Sequence, residues 1–129
     1  PFDIVLADAF AADHAVVWRG HADALAAVVH RVARTTDAPI LSVRYTSEGA
    51  VIGAADADNG EGEDLAPVRG GVTLVAVHGM SGRYLLDALG SMAGREIEIH
   101  AGGNLSPVGI CTVGEGSDLR AVVMPARLG

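Results

Sequence analysis

Apolar and polar residues follow two different periods along the chain, and the change of period marks the predicted elements. Over residues 22–34 and 82–94, apolar residues recur three and four positions apart, which is typical of amphipathic helices. Ser81 is a suitable N-cap for the second helix, and Gly94 a suitable C-terminal stop. The predicted core positions are Leu25, Val28, Val29 and Val32 in the first helix and Leu85, Leu86, Leu89 and Met92 in the second.

Alternation with period two predicts the strands. It is strictest over residues 40–46, where Leu41, Val43 and Tyr45 point inward, and a turn at residues 47–49 folds this strand into a hairpin. His78 ends a strand, a position more typical of the surface than of a ligand. The other predicted strands lie near residues 14–20, 50–57, 65–69, 72–78, 95–101, 106–113 and 119–125.

The resulting order, β-α-β-β-β-β-α-β-β-β, indicates an α+β fold with two helices laid on one side of an antiparallel sheet. Each helix is followed by a run of strands, so the two halves share a layout. Residues 1–13 mix apolar residues and aspartates without a clear period, and we interpret them as a lead-in or a poorly paired strand. The domain is predicted to occupy residues 14–129.

Charge and composition narrow the function classes. The net charge is −7, with nine arginines and no lysine, so the surface repels phosphate on average and we expect DNA to be contacted only indirectly. Uncharged stretches are too short to span a bilayer, and no leader is recognisable, which predicts a cytoplasmic protein without membrane contact. Because the first residue is proline and not methionine, the start of the sequence looks cut, either by choice of its bounds or because this is a piece of a longer chain.

Catalytic and cofactor motifs are missing from the sequence. "GMSGR" lacks the spacing of a nucleophile elbow, the five histidines are scattered, and the glycine-rich stretches lack the spacing of nucleotide-binding loops. Glu96 and Glu98 indicate a solvated strand face, and Cys111 is expected to pack. The acidic loop at residues 56–64 lacks the ligand order of an EF-hand. We therefore expect a non-catalytic binding module without cofactor or metal.

The last eleven residues, "LRAVVMPARLG", are unusually apolar for a chain end. Pro125 cannot donate a ladder hydrogen bond, so the backbone is predicted to leave the sheet there. Sheet pairing alone therefore does not account for Met124, Arg127 and Leu128.

This ending resembles that of the third, C-terminal domain of bacterial DNA polymerase III beta subunits, the sliding clamps. Three further stretches are similar to that domain in order and spacing: "SVRYTSEGAVIGAADADNGEGED", "GRYLLDALGSMAGREIEIH" and "LSPVGICT". The resemblance implies the DNA-clamp fold of a processivity factor. It also implies a hydrophobic pocket for short peptide motifs of polymerases and other replication and repair proteins. Carried over by position, the pocket candidates are Tyr84, Leu105, Pro107, Val122, Met124, Pro125, Ala126, Arg127 and Leu128.

Some positions depart from the clamp pattern. The family places apolar residues at its ring interface, where Arg34 and Thr35 fall here, and a large hydrophobe where Ala126 stands. Toward DNA, the outer helical face offers only His30, Arg31 and Arg34. The resemblance allows a homodimer. These departures leave an alternative open: a clamp-fold regulatory or oligomerisation module attached to an upstream helix-turn-helix domain of a transcriptional regulator.

Overall fold

The computed structural model describes residues 2–10, 14–37, 39–54, 64–67, 74–103, 106–114 and 119–126. In chain order the elements are α1 Phe2–Ala9, β1 Ala15–His21, α2 Ala22–Ala33, β2 Ile40–Thr46, β3 Gly49–Ala54, β4 Asp64–Pro67, β5 Leu74–Ser81, α3 Gly82–Ser91, β6 Glu96–Ala101, β7 Val108–Thr112 and β8 Arg120–Val123. From residue 14 onward, this is the order that the sequence predicts. The acidic loop lies outside the described residues except for Asp64, which begins β4.

The beginning of the chain differs from its prediction. Phe2–Ala9 is a helix, whereas the sequence analysis expects a lead-in or a poorly paired strand. Two turns of helix show little periodicity of their own, so packing decides the outcome. Here α1 packs against β7 and β8, and Ala9 is fully buried. None of the described helices is long and apolar enough to span a membrane.

The strands divide between two antiparallel sheets, where the sequence analysis expects one. The first sheet has the order β1-β6-β7-β8 and the second the order β4-β3-β2-β5. The first half of the domain consists of β1, α2 and β2–β4, and the second half of β5, α3 and β6–β8. The first strand of each half pairs with a strand of the other half: β1 joins β6, and β5 joins β2. The shared layout of the two halves is thus a structural repeat in which each half completes the sheet of the other.

One hydrophobic core joins both sheets to α2 and α3. Each of these two helices contacts the other and contacts both sheets. The predicted core positions of α2 are all buried, and so are Leu85 and Leu89 of α3 and its C-cap residue Met92, with Leu86 partly buried. Leu41, Val43 and Tyr45 point inward as predicted. The α+β interpretation is confirmed, while the bounds of the domain stay a prediction.

Equivalent hydrogen bonds fasten the start of each helix. The amide of Ala22 donates to the carbonyl of Arg95, and the amide of Gly82 donates to the carbonyl of Pro39, both at 3.0 Å. Arg95 immediately precedes β6, the strand after α3, and Pro39 immediately precedes β2, the strand after α2. The start of each helix is therefore bonded to the connection that leaves the other helix. The two halves are therefore tied to each other at both helix starts.

Helix α1 is held by a close approach at Gly109 of β7. A Cβ atom there would lie 2.7 Å from Cζ of Phe10 and 2.9 Å from the carbonyl oxygen of Ala9. Both distances are shorter than a carbon side chain tolerates, and the second involves backbone. Only glycine therefore lets the end of α1 lie this close to the first sheet.

We predict that Gly109→Ala lowers the free energy of unfolding by about 1–3 kcal/mol, because the added methyl group displaces the end of α1. Urea denaturation measures this change. Gly90→Ala is the matched control: a Cβ there meets nothing within 4 Å, and alanine in a helix is favoured over glycine by roughly 0.5–1 kcal/mol. Opposite signs are expected, and equal effects of the two substitutions would contradict the packing of α1.

Candidate functional site

The C-terminal segment crosses from one sheet to the other. Strand β8 ends at Val123, so the backbone leaves the first sheet just before Pro125, as predicted. The amide of Ala126 then donates to the carbonyl of Gly79 at 2.7 Å and forms an antiparallel bridge with it. Gly79 belongs to β5, the edge strand of the second sheet. This bridge fastens the tail to the strand that leads into α3.

Two exposed apolar residues lie close in sequence to the two bridged residues. Tyr84 lies in the first turn of α3 with 65% of its surface exposed, and Met124 lies between β8 and the bridge with 55% exposed. The hydroxyl of Ser81 accepts a hydrogen bond from the amide of Tyr84 at 3.3 Å, which is the predicted N-cap and fixes the backbone that carries the tyrosine. Helix α3 also contacts β8, the strand that precedes Met124.

Two histidines form hydrogen bonds to the connection between β6 and β7. Nε2 of His78 donates to the carbonyl of Gly103 at 3.2 Å, and Nε2 of His14 lies 3.0 Å from the carbonyl of Pro107, again as the donor. His78 is the neighbour of Gly79 in β5. The tail is therefore bonded to the backbone of Gly79, and the β6–β7 connection is bonded to the side chain of His78, the adjacent residue of β5.

The surface expectation for His78 is wrong. The residue is fully buried, because β5 continues to Ser81 and His78 falls on the core face with Met80. Its ring meets that of Tyr45 edge-on at 5.9 Å between centroids. Burial raises the pKa of the Tyr45 phenol above its ordinary value. Neither the Tyr45 hydroxyl nor Nδ1 of His78 has a hydrogen-bond partner in the described part of the chain.

The nine pocket candidates are placed unequally. Tyr84 and Met124 are exposed, while Pro107, Pro125 and Ala126 are half-buried around the crossing. Val122 pairs with Gly109, so alternation places it on the face of the first sheet opposite the core residue Val123. That is the face on which α1 packs. The remaining candidates, Leu105, Arg127 and Leu128, lie outside the described residues.

The predicted DNA-facing residues lie at the C-terminal end of α2, where Arg34 is the C-cap residue. His30, Arg31 and Arg34 are exposed there. At the other end of the helix, the carboxylate of Asp23 accepts a hydrogen bond from the amide of Gly94 at 3.1 Å, which ties α2 to the end of α3. The protein that carries these three basic residues has a net charge of −7. A contact between them and DNA stays a prediction.

Cysteine chemistry does not suit this site. Burial, with a smaller contribution from the neighbouring Glu98 carboxylate, raises the pKa of the Cys111 thiol, although Arg120 opposes the shift. The thiolate is the nucleophilic form, so a raised pKa makes a poor nucleophile at neutral pH. Cys111 also lies on β7, away from the crossing of the tail.

Sequence reasoning missed the roles of His14 and His78. His14 is bonded to the pocket candidate Pro107, and His78 is bonded to Gly103 in the same β6–β7 connection. A signal existed for His78: in the strand it shares the parity of Met80, so the period of two assigns both to the same face. For His14 the local sequence carries no such signal, because its partner Pro107 is remote in the chain and the contact arises only from the pairing of β1 with β6.

Comparisons with known proteins bear on the fold. No family model matches the chain, and no curated protein matches it. Among solved structures, the chain is similar to a sliding clamp (DNA polymerase III subunit beta) from Bartonella birtlesii bound to griselimycin, with 18% identity and a TM-score of 0.76. That match covers 98% of this chain and 33% of the clamp.

Two further clamps show the same likeness. The DNA polymerase III beta chain of Streptococcus pneumoniae matches with 11% identity and a TM-score of 0.73, over 89% of this chain and 31% of that one. The H. pylori beta clamp in complex with 5-chloroisatin matches with 12% identity and a TM-score of 0.70, over 86% and 32%. The chain spans about a third of the length of these proteins. It has the fold of a domain of the DNA polymerase III beta sliding clamp.

Proposed function

We propose that this chain is a non-catalytic, clamp-like interaction domain that docks short peptide motifs of replication or repair proteins. The docking site is the cleft defined by Tyr84, Pro107, Met124, Pro125 and Ala126, and we include the candidates Leu105, Arg127 and Leu128 in it. Val122 is left out, because it lies on the face of the first sheet on which α1 packs. The observation that carries the proposal is the bridge between Ala126 and Gly79, which holds the tail beside the start of α3. The likeness to sliding clamps supports the same assignment.

The chemistry of the cleft suits an apolar peptide side chain. Tyrosine offers a broad face at little cost in conformational entropy, and methionine adapts its shape to different partners. Both side chains are more than half exposed, so a bound peptide gains apolar contact without displacing core residues.

Affinity should be modest. The resemblance assigns the other wall of the pocket to a neighbouring clamp domain, and one wall supplies only part of the buried surface. We expect a Kd of roughly 0.1–1 mM, equivalent to about 4–5.5 kcal/mol. The clamp structures give no support to the alternative role in a transcriptional regulator.

The test is a titration of the chain with a Gln-Leu-x-Leu-Phe-type peptide and with a scrambled peptide of the same composition. Saturable binding of the first peptide alone is expected, and deletion of residues 126–129 should abolish it because the bridge to Gly79 is lost. Calorimetry or fluorescence anisotropy measures the affinity, and circular dichroism checks that the shortened chain is folded. Absence of binding at millimolar peptide would refute the proposal.

A further inference from the structure

A second group of reactive side chains lies on the first sheet, on the face opposite the core. Glu98 and His100 are two apart on β6, and Cys111 of β7 is the cross-strand partner of Glu98. The alternate residues of β6, Ile97 and Ile99, point into the core. All three polar side chains are half-buried. The register of β6 with β7 therefore brings a carboxylate, an imidazole and a thiol together.

The distances within this cluster suit a tetrahedral zinc ion. Sγ of Cys111 lies 3.7 Å from Nε2 of His100, and Nε2 of His100 lies 3.3 Å from Oε1 of Glu98. Zinc ligands at about 2.0–2.3 Å from the metal, with tetrahedral angles, lie roughly 3.6 Å apart for sulfur and nitrogen and roughly 3.4 Å apart for nitrogen and oxygen. All three ligand atoms lie within 4.8 Å of one another.

A proton relay is a poor alternative for these residues. In a catalytic Cys-His-acid arrangement, the thiol and the carboxylate contact different nitrogens of the imidazole ring. Here both face the same nitrogen, Nε2, so the ring cannot take a proton from the thiol while the acid holds its other side. Donor atoms that converge on one point instead surround a space that a cation can occupy.

Neighbouring side chains orient the cluster. The guanidinium of Arg19 approaches the second carboxylate oxygen of Glu98 at 3.9 Å and leaves Oε1 toward the histidine. The ring of Phe10 packs on that of His100 at 5.0 Å between centroids. Outer contacts of this kind hold metal ligands in place. Arg120 is the nearby positive charge that would repel a bound cation. Its guanidinium carbon lies 4.9 Å from the centroid of the Phe10 ring, so this charge has a partner of its own.

We propose that Glu98, His100 and Cys111 bind one zinc ion, with water as the fourth ligand. A thiolate, a carboxylate and a neutral imidazole balance the two positive charges of the metal, and the ligand types are those that zinc prefers. This inference departs from the expectation of a metal-free protein. Zinc at this position links β6 to β7 beneath the end of α1 and stabilises the first sheet.

The test uses the whole chain, freed of metal and then titrated with zinc. One ion per chain is expected, with micromolar or tighter affinity and a rise in melting temperature on binding. Cobalt in place of zinc should produce the near-ultraviolet absorption of a cobalt–thiolate bond. Cys111→Ser should remove that band, and both Cys111→Ser and His100→Ala should weaken zinc binding by more than about 100-fold, since loss of a ligand exceeds the effect of an outer contact.

His30→Ala is the matched control, because this exposed histidine on α2 lies outside the cluster and should leave zinc binding unchanged. Should Cys111→Ser fail to fold, Glu98→Gln provides the same test by removing a ligand charge at constant size. Circular dichroism without metal establishes folding for every variant. Two results would overturn the proposal: no saturable binding at 100-fold excess zinc, or equal binding by the native chain and the folded cluster variants.

Discussion

Tyr84→Ala is expected to raise the Kd of the docked peptide about 30-fold, which corresponds to roughly 2 kcal/mol. The tyrosine is 65% exposed, so its removal leaves no cavity in the core and should not change stability appreciably. Its backbone amide keeps the bond to Ser81, because that bond does not involve the side chain. Calorimetric titration of both proteins with the same peptide measures the change.

Leu119→Ala is the control for this substitution. Leu119 is also a large exposed apolar residue, 39% exposed, but it precedes β8, whereas Met124 follows it. Leu119→Ala thus removes exposed apolar surface at the end of β8 that is remote from the tail crossing. We expect the affinity of Leu119→Ala to match that of the native chain. A similar loss of affinity in both variants would show non-specific apolar binding and contradict the assigned cleft.

His78→Ala should lower the free energy of unfolding by about 2–4 kcal/mol. The residue is fully buried, so its removal leaves a cavity, and the carbonyl of Gly103 loses its donor. The β6–β7 connection is then free to move away from β5, so peptide affinity should fall as well. Urea denaturation followed by circular dichroism gives the first quantity, and peptide titration gives the second.

Two further variants separate the contributions of His78. His78→Phe fills the volume but cannot donate to Gly103, so we expect a smaller loss of stability, about 1–2 kcal/mol, with a similar loss of peptide affinity. His30→Ala changes an exposed histidine of α2 and should alter stability by less than about 0.5 kcal/mol. Equal stabilities of His78→Ala and His30→Ala would contradict the buried role of His78.

Local periodicity predicts much of this fold. The period of α2 places Val28 and Val32 in the core, and the strict alternation of β2 does the same for Leu41 and Tyr45. Ser81 caps α3 as its chemistry suggests. These features depend on neighbours in the chain. The departure of the backbone at Pro125 is equally local, since it follows from a missing amide hydrogen.

The remaining features depend on contacts between remote residues. Periodicity does not show that β1 pairs with β6 and that β5 pairs with β2, because a strand has the same alternation of apolar and polar residues whichever sheet it joins. The bridge from Ala126 to Gly79 and the bond from His78 to Gly103 join residues far apart in sequence. The proximity of Glu98 to Cys111 likewise requires the register of β6 with β7. Tertiary pairing therefore assembles both candidate sites.

The most direct test of the account is a map of peptide-induced changes in amide chemical shifts along the chain. We predict the largest changes at Gly79, Tyr84, Met124 and Ala126, where the tail crosses to β5 beside the start of α3. Largest changes on α2 around His30, Arg31 and Arg34 instead, with the crossing unaffected, would contradict the claim that the tail and Tyr84 form the docking cleft.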